Sequence, residues 1–145
     1  MLFHSLYAIC DELRHRARLR SGRVDAAWGR RAEDLAHRYL QAHGLTVIER
    51  NWIAPGGAHN ELDLVAWDGD QLVFVEVKSR KNTEYASPER ALDDEKRRRV
   101  CRAARQFLDK WRLRPEHARF DLVSVVFEPL MIQHTPDAWS WVDAA

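Results

Sequence analysis

The run Val73-Phe74-Val75-Glu76-Val77-Lys78 sets a carboxylate and an ammonium two positions apart in an otherwise apolar segment. Side chains alternate faces along a strand, so the valines take one side while Phe74, Glu76 and Lys78 share the other. Glu76 and Lys78 then stand roughly 6–7 Å apart at their Cα atoms. Upstream, Glu61-Leu62-Asp63-Leu64-Val65-Ala66-Trp67 has the same texture. There Glu61, Asp63 and Val65 are expected on one face and Leu62, Leu64 and Ala66 on the other. Asp68-Gly69-Asp70 joins the two runs, and Asp-Gly supplies the positive φ angles of a tight antiparallel turn. If the apolar faces coincide in a common core, Asp63, Glu76 and Lys78 converge, with Glu61 nearby.

Such a set suits hydrolysis of a phosphodiester. Two carboxylates offer the hard oxygen ligands that Mg2+ or Mn2+ prefers and leave positions for water and phosphate. Asp63 and Glu76 are therefore the candidate metal ligands. Lys78, beside a dication, can hold the attacking water or offset charge in the transition state. A Glu-x-Lys pair is also common as a plain surface pair on the solvent face of an antiparallel strand. Two features favour chemistry here: several acids crowd Glu76, which costs repulsion without a cation, and the strand is apolar enough to be covered on both sides.

The elements that must hold these residues follow from periodicity. Trp28, Ala32, Leu35, Ala36, Tyr39 and Leu40 fall at helical spacing, so Asp25 to His43 reads as an amphipathic helix closed by Gly44. Glu33 lies only about 20° from Leu40 on that helix; it either snorkels at the face boundary or reaches the acid cluster. Leu45 to Trp52 reads as a strand, and Ala54-Pro55-Gly56-Gly57 breaks the chain before the acidic strands. Ser87-Pro88-Glu89 has the chemistry of a helix start, and the helix it opens runs to about Arg112 with Leu92, Val100, Ala103, Ala104, Phe107, Leu108 and Trp111 on its apolar face. Lys96 projects within that stripe, which on periodicity alone reads as a snorkelling lysine. Phe120 to Phe127 is a further strand, with one more possible between Met131 and Trp141.

The same long helix carries Lys96-Arg97-Arg98-Arg99, Arg102 and Arg105, a basic surface suited to phosphate backbones. Lys96, Arg97, Arg99 and Arg80 are the candidate nucleic-acid contacts. Asp93, Asp94 and Glu95 could instead pair with these arginines through the helical turns. No global field supports the assignment, because Lys+Arg 23 nearly cancels Asp+Glu 22. The two cysteines, Cys10 and Cys101, are far apart and show neither zinc nor disulfide spacing. No stretch has the length of a membrane span and no secretory leader is evident, so a cytoplasmic location is expected. Residues 1–24 are set aside as an arginine-rich extension, helical or mobile, and residues 25–145 as one nuclease domain.

The ordered set Gly29-Arg30-Arg31-Ala32-Glu33, Tyr39-Leu40, Gly44, Arg50-Asn51-Trp52, Glu61-Leu62-Asp63-Leu64-Val65 and Phe74-Val75-Glu76-Val77-Lys78-Ser79-Arg80, followed by Lys96, Ala103-Ala104, Phe107-Leu108 and Arg119-Phe120-Asp121, resembles the YraN family of small bacterial proteins. The resemblance implies a restriction-endonuclease-like α/β fold, a central mixed sheet flanked by helices, similar to Holliday-junction resolvases of the PD-(D/E)xK type. It implies an Mg-dependent endonuclease in which Asp63, Glu76 and Lys78 match catalytic positions and Glu33 matches the acid of the first helix. The implied partner is DNA, and a homodimer is expected if the substrate is a branched junction. Asn60 and Ala86 stand where that family usually has glycine, which bears on loop conformation rather than on ligands. The alternatives are a non-catalytic nucleic-acid binding module on the same fold, and a protein-interaction domain using Trp139, Trp141 and the basic arm.

Overall fold

At the turn between the two acidic strands Gly69 has φ 60, the conformation that an Asp-Gly hairpin requires. This turn joins β2 (Glu61–Asp68) to β3 (Gln71–Arg80). The computed structural model describes residues 2–22, 24–57, 60–81 and 94–142. Within them the order is α1 (Leu2–Arg20), α2 (Val24–Ala42), β1 (Thr46–Ile53), β2, β3, α3 (Asp94–Trp111), β4 (Ala118–Phe127) and β5 (Leu130–Trp139). The strands form one sheet in the order β1-β2-β3-β4-β5. β3 and β4 are parallel and the other neighbours antiparallel, so the fold is α/β with a mixed sheet flanked by helices. The proposed helix start at Ser87, with Leu92 and Ala86, lies outside the described residues.

β3 is covered on both faces, as its apolar run suggested. Val73 and Val75 pack with Leu64, Ala66, Val123 and Val125 beneath Ala32, Ala36 and Leu40 of α2. Phe74 packs on the opposite face with Val65, Leu72 and Phe120 beneath Val100, Ala104, Phe107 and Leu108 of α3. Each fully buried side chain of this size contributes about 1.5–3 kcal/mol through apolar burial, so the two helices clamp the central strands firmly.

One face assignment is corrected. Leu62 belongs with the cluster under α3, whereas Leu64 belongs with the cluster under α2. Opposite this step, Asn51 has φ 51 and sits between the pairs Arg50↔Leu64 and Trp52↔Leu62. A left-handed residue re-aims its neighbours, and Trp52 accordingly packs with Leu62 in the α3 cluster. Trp139 and Trp141 are corrected as well. Trp139 is buried and stacks on Phe120 at 5.2 Å, and half-buried Trp141 meets Phe120 edge-on at 4.7 Å. They complete the core rather than offer a partner surface.

The arginine-rich extension is helical and docked. Buried Asp11 of α1 pairs with Arg38 of α2 at 3.2 Å, and Arg18 of α1 reaches buried Asp34 of α2 at 3.0 Å. Asp34 also takes Arg50 of β1 at 2.7 Å. Its outer face keeps Leu6, Ile9 and Leu13 exposed.

Candidate active site

Asp63 sits where β2 and β3 part. Their backbone pairing is last made at Leu64↔Val75, and the side chain of Asp63 takes over the next position: the Val77 N–H donates to Oδ2 at 2.9 Å. This bond aims the carboxylate across the strand gap at Glu76, which is only 3% exposed. Glu76 in turn has Lys96 Nζ of α3 at 3.3 Å from Oε1. The site therefore lies where two inner strands of the sheet part.

The electrostatics are unbalanced. Burial, and then the charge of Glu76, push the Asp63 carboxyl up to about 8, although the Val77 N–H and Lys96 pull the other way. Two adjoining carboxylates out of water cannot both ionise cheaply, so the pair retains a proton at neutral pH. Glu33 faces the same point from α2. Its carboxyl is raised by burial and then by the charge of Asp63, against Arg30 and Asn51; Arg30 Nη1 lies 3.0 Å from it and Arg50 Nη2 3.9 Å. Of the two readings open for Glu33, the geometry selects the one directed at the acid cluster. Glu61 stays at the margin, half-buried, with Arg30 at 3.9 Å.

Lys78 is half-buried and makes no ion pair among the described residues. It lies in parallel register with Ser124 of β4, whose side chain is buried with no hydrogen-bond partner for Oγ among the described residues. Ser124 and Asn51 are the two polar neighbours that periodicity did not single out. The signal for Asn51 was its type, since Asn tolerates left-handed backbone better than most residues. A serine inside Val123-Ser124-Val125 was the signal for the other.

The donor set fits a small divalent cation. It consists of hard oxygens, buried, holding a proton that a dication can replace. Among the described residues no group of three or more His, Cys, Asp or Glu is placed to hold a metal. Asp63 and Glu76 would supply two carboxylates, and Mg2+ commonly takes one or two from the protein and keeps water on its remaining positions.

Comparison with known sequences places the chain. Residues 32–125 match the model of "Uncharacterised protein family UPF0102". The chain belongs to family UPF0102. It is 45% identical over 123 residues to a UPF0102 protein of Solibacter usitatus, covering 85% of this chain and 88% of the relative. A UPF0102 protein of Geobacter metallireducens is 41% identical over 113 residues, 77% of this chain and 90% of its own length. One from Rhodococcus opacus is 39% identical over 117 residues, 78% and 96% respectively. The span matched to UPF0102 contains Glu33, Asp63, Glu76, Lys78 and Lys96, and leaves α1 and β5 outside it.

The basic residues of this UPF0102 protein divide. Lys96 is drawn into the acid cluster through Glu76 rather than left on the surface. Arg97 lies 3.8 Å from Asp94 and Arg99 3.6 Å from Glu95, both acids exposed, so the pairing within α3 that competes with a phosphate role is present. Arg80 lines a cavity beyond Lys78. Among the described residues, no helix is long and apolar enough to cross a membrane.

Proposed function

We propose that this protein is a divalent-metal-dependent endonuclease that hydrolyses nucleic-acid phosphodiester bonds, and that DNA with a branch or other local structure is its substrate, in keeping with the YraN-like, resolvase-like motif set. The observation that carries this reading is the Asp63–Glu76 pair, two buried carboxylates brought together where β2 and β3 part, with the Asp63 carboxyl raised by burial and by the charge of Glu76. A fold gains nothing from that arrangement unless a cation joins it. Asp63 and Glu76 would hold Mg2+ or Mn2+, which when bound polarises the phosphate and a water. Glu33 would assist from α2, through the metal or a water bound to it. Lys78, one step beyond Glu76 on the same face, orients the attacking water or neutralises the non-bridging oxygens. Lys96 keeps Glu76 in place while the cation is absent.

The test is cleavage of labelled four-way-junction, flap, single-stranded and linear duplex DNA in Mg2+, Mn2+ or EDTA, for wild type and Asp63→Ala. Metal-dependent cutting lost by at least a hundredfold in Asp63→Ala is the expected result. Folded protein that binds these DNAs but cuts none with either metal would leave a binding module instead.

A further inference from the structure

A cavity of about 560 Å³ opens at the far end of β3, beyond Lys78, and its lining includes Trp28, Phe127, Arg80, Lys81, Asp25 and Glu128. Its position is fixed by two elements already described. Arg80 stands two residues beyond Lys78 on β3, roughly 6–7 Å along the strand, and Trp28 lies on α2 about 7.5 Å along the helix from Glu33 and about 140° around it. Trp28 was expected on the buried face of α2, yet it is 39% exposed. It is held upright by edge-on contacts with His15 of α1 at 4.6 Å and Phe127 of β4 at 4.7 Å. A large aromatic kept at a cavity wall by packing on both sides is a preorganised stacking surface.

The lining combines three chemistries. Trp28 and Phe127 offer aromatic surface, Arg80 and Lys81 positive charge, and Asp25 and Glu128 acceptors for exocyclic amino groups. The volume falls within the roughly 300–1,000 Å³ usual for small-ligand sites. We infer that this cavity receives one unpaired nucleobase of the strand being cut, stacked on Trp28, with its phosphate held by Arg80 and Lys81. The inference rests on the nuclease reading and narrows its substrate. A base inside a continuous duplex has both faces stacked and its edge paired, so only a nucleotide at a flap, a junction or a single-stranded stretch can enter. The cavity then selects branched or single-stranded DNA at a nucleotide about two positions from the scissile phosphate, since Arg80 lies roughly 13 Å along β3 from Glu76, without reading sequence.

Binding in EDTA, where no cutting is scored, tests this apart from catalysis. Fluorescence anisotropy would compare full-length protein on a single strand, a flap, the same flap made abasic at its unpaired nucleotides, and a blunt duplex. The single strand and flap are expected to bind about tenfold tighter than the duplex. The abasic flap and Trp28→Ala should each lose that margin, with Trp28→Phe recovering part of it. Val24→Trp, which fills the cavity from its exposed rim and deletes no packing, should act like Trp28→Ala and guards against misfolding of the latter, checked by thermal unfolding. Equal loss on all four DNAs, or no loss from either Val24→Trp or folded Trp28→Ala, would overturn the proposal. Loss confined to unpaired DNA in a protein that cuts nothing would keep the base site and discard the nuclease.

Discussion

Asp121 on β4 and Asp63 on β2 are carboxylates of the same sheet, yet their surroundings are opposite in sign. Asp121 is fully buried and completely served. Arg119 Nε donates to one oxygen at 2.9 Å, Arg119 Nη2 to the other at 3.1 Å, His134 Nε2 lies 2.7 Å away, and the Asp137 N–H donates at 3.0 Å. Burial pushes its carboxyl up, but the bonds from His134, Arg119 and Asp137 outweigh this and hold it below the usual carboxylate range. Asp63 has one backbone N–H and a second carboxylate beside it, and Lys96 pairs with that second carboxylate rather than with Asp63. A buried acid that is part of the scaffold carries its own cations; one left short of them is, on the proposed reading, the place for a cation from outside.

The sharpest way to break the comparison is to remove the served acid. Asp121→Ala removes the partner of His134 and two of the bonds of Arg119, which keeps Asp68 at 2.8 Å and Gln71 at 2.9 Å, and should cost about 1.5–3 kcal/mol of stability at neutral pH, measured by denaturant unfolding. Because the folded-state value of Asp121 lies below its unfolded value, its contribution is present above about pH 4 and fades as pH falls through the folded value. The gap between wild type and variant should therefore close in acid. A gap that stays constant would mean that packing, not charge, is what Asp121 supplies.

Asp63→Asn should do the reverse. Its carboxyl rises from an ordinary 3.8 to about 8 in the folded protein, so the stability it allows is complete below the unfolded value and is lost as pH climbs toward 8. Metal-free wild type should lose stability across that window while the Asn variant does not, giving the variant a Tm several degrees higher at pH 8 and an equal one near pH 4. Adding Mn2+ should raise the Tm of wild type alone. Parallel pH profiles for the two proteins would remove the distinction between the clusters.

Lys96 tests the idea from the other side. Its ammonium beside Glu76 is a cation that α3 brings to the pair, and it opposes a metal by charge. Lys96→Met should therefore bind Mn2+ about fivefold tighter by calorimetry, the effect of removing roughly 1 kcal/mol of repulsion. Weaker binding would show that holding Glu76 in place matters more than the repulsion.

What the residues disclosed in advance was local. The Asp-Gly turn, the clamped β3 and the convergence of Asp63 with Glu76 follow from alternation and turn chemistry, and the strand pairs bear them out. What they hid was non-local. The flip between Leu62 and Leu64 depends on a single left-handed residue in the neighbouring strand, Asn51, and the docking of α1 depends on ion pairs such as Asp11–Arg38, which have no periodic signature. Nothing in its spacing gave Asp121 a partner, because His134 and Asp137 meet it only after β4 and β5 pair. Trp28 sits at helical spacing with the core residues, and only the contacts of His15 and Phe127 reveal that it is held at a rim.

The smallest effect on stability is expected on α3. Arg97 and Arg99 are about one-third exposed and their partners Asp94 and Glu95 are three-quarters exposed or more, so water screens both pairs. Each alanine variant should shift unfolding by less than about 0.5 kcal/mol. DNA affinity is the discriminating readout. A phosphate can compete for each guanidinium because the pair it must displace is weak, and each arginine that reaches a phosphate releases a counterion. The slope of log affinity against log salt should fall by about one for each substitution, uniformly across DNA structures. Trp28 variants, by contrast, should leave the salt slope intact and change only the preference for unpaired DNA. If Arg97→Ala and Arg99→Ala leave the slope unchanged, α3 is a self-neutralised helix, and the cations that meet the backbone are Arg80 and Lys81 at the mouth of the β3 end.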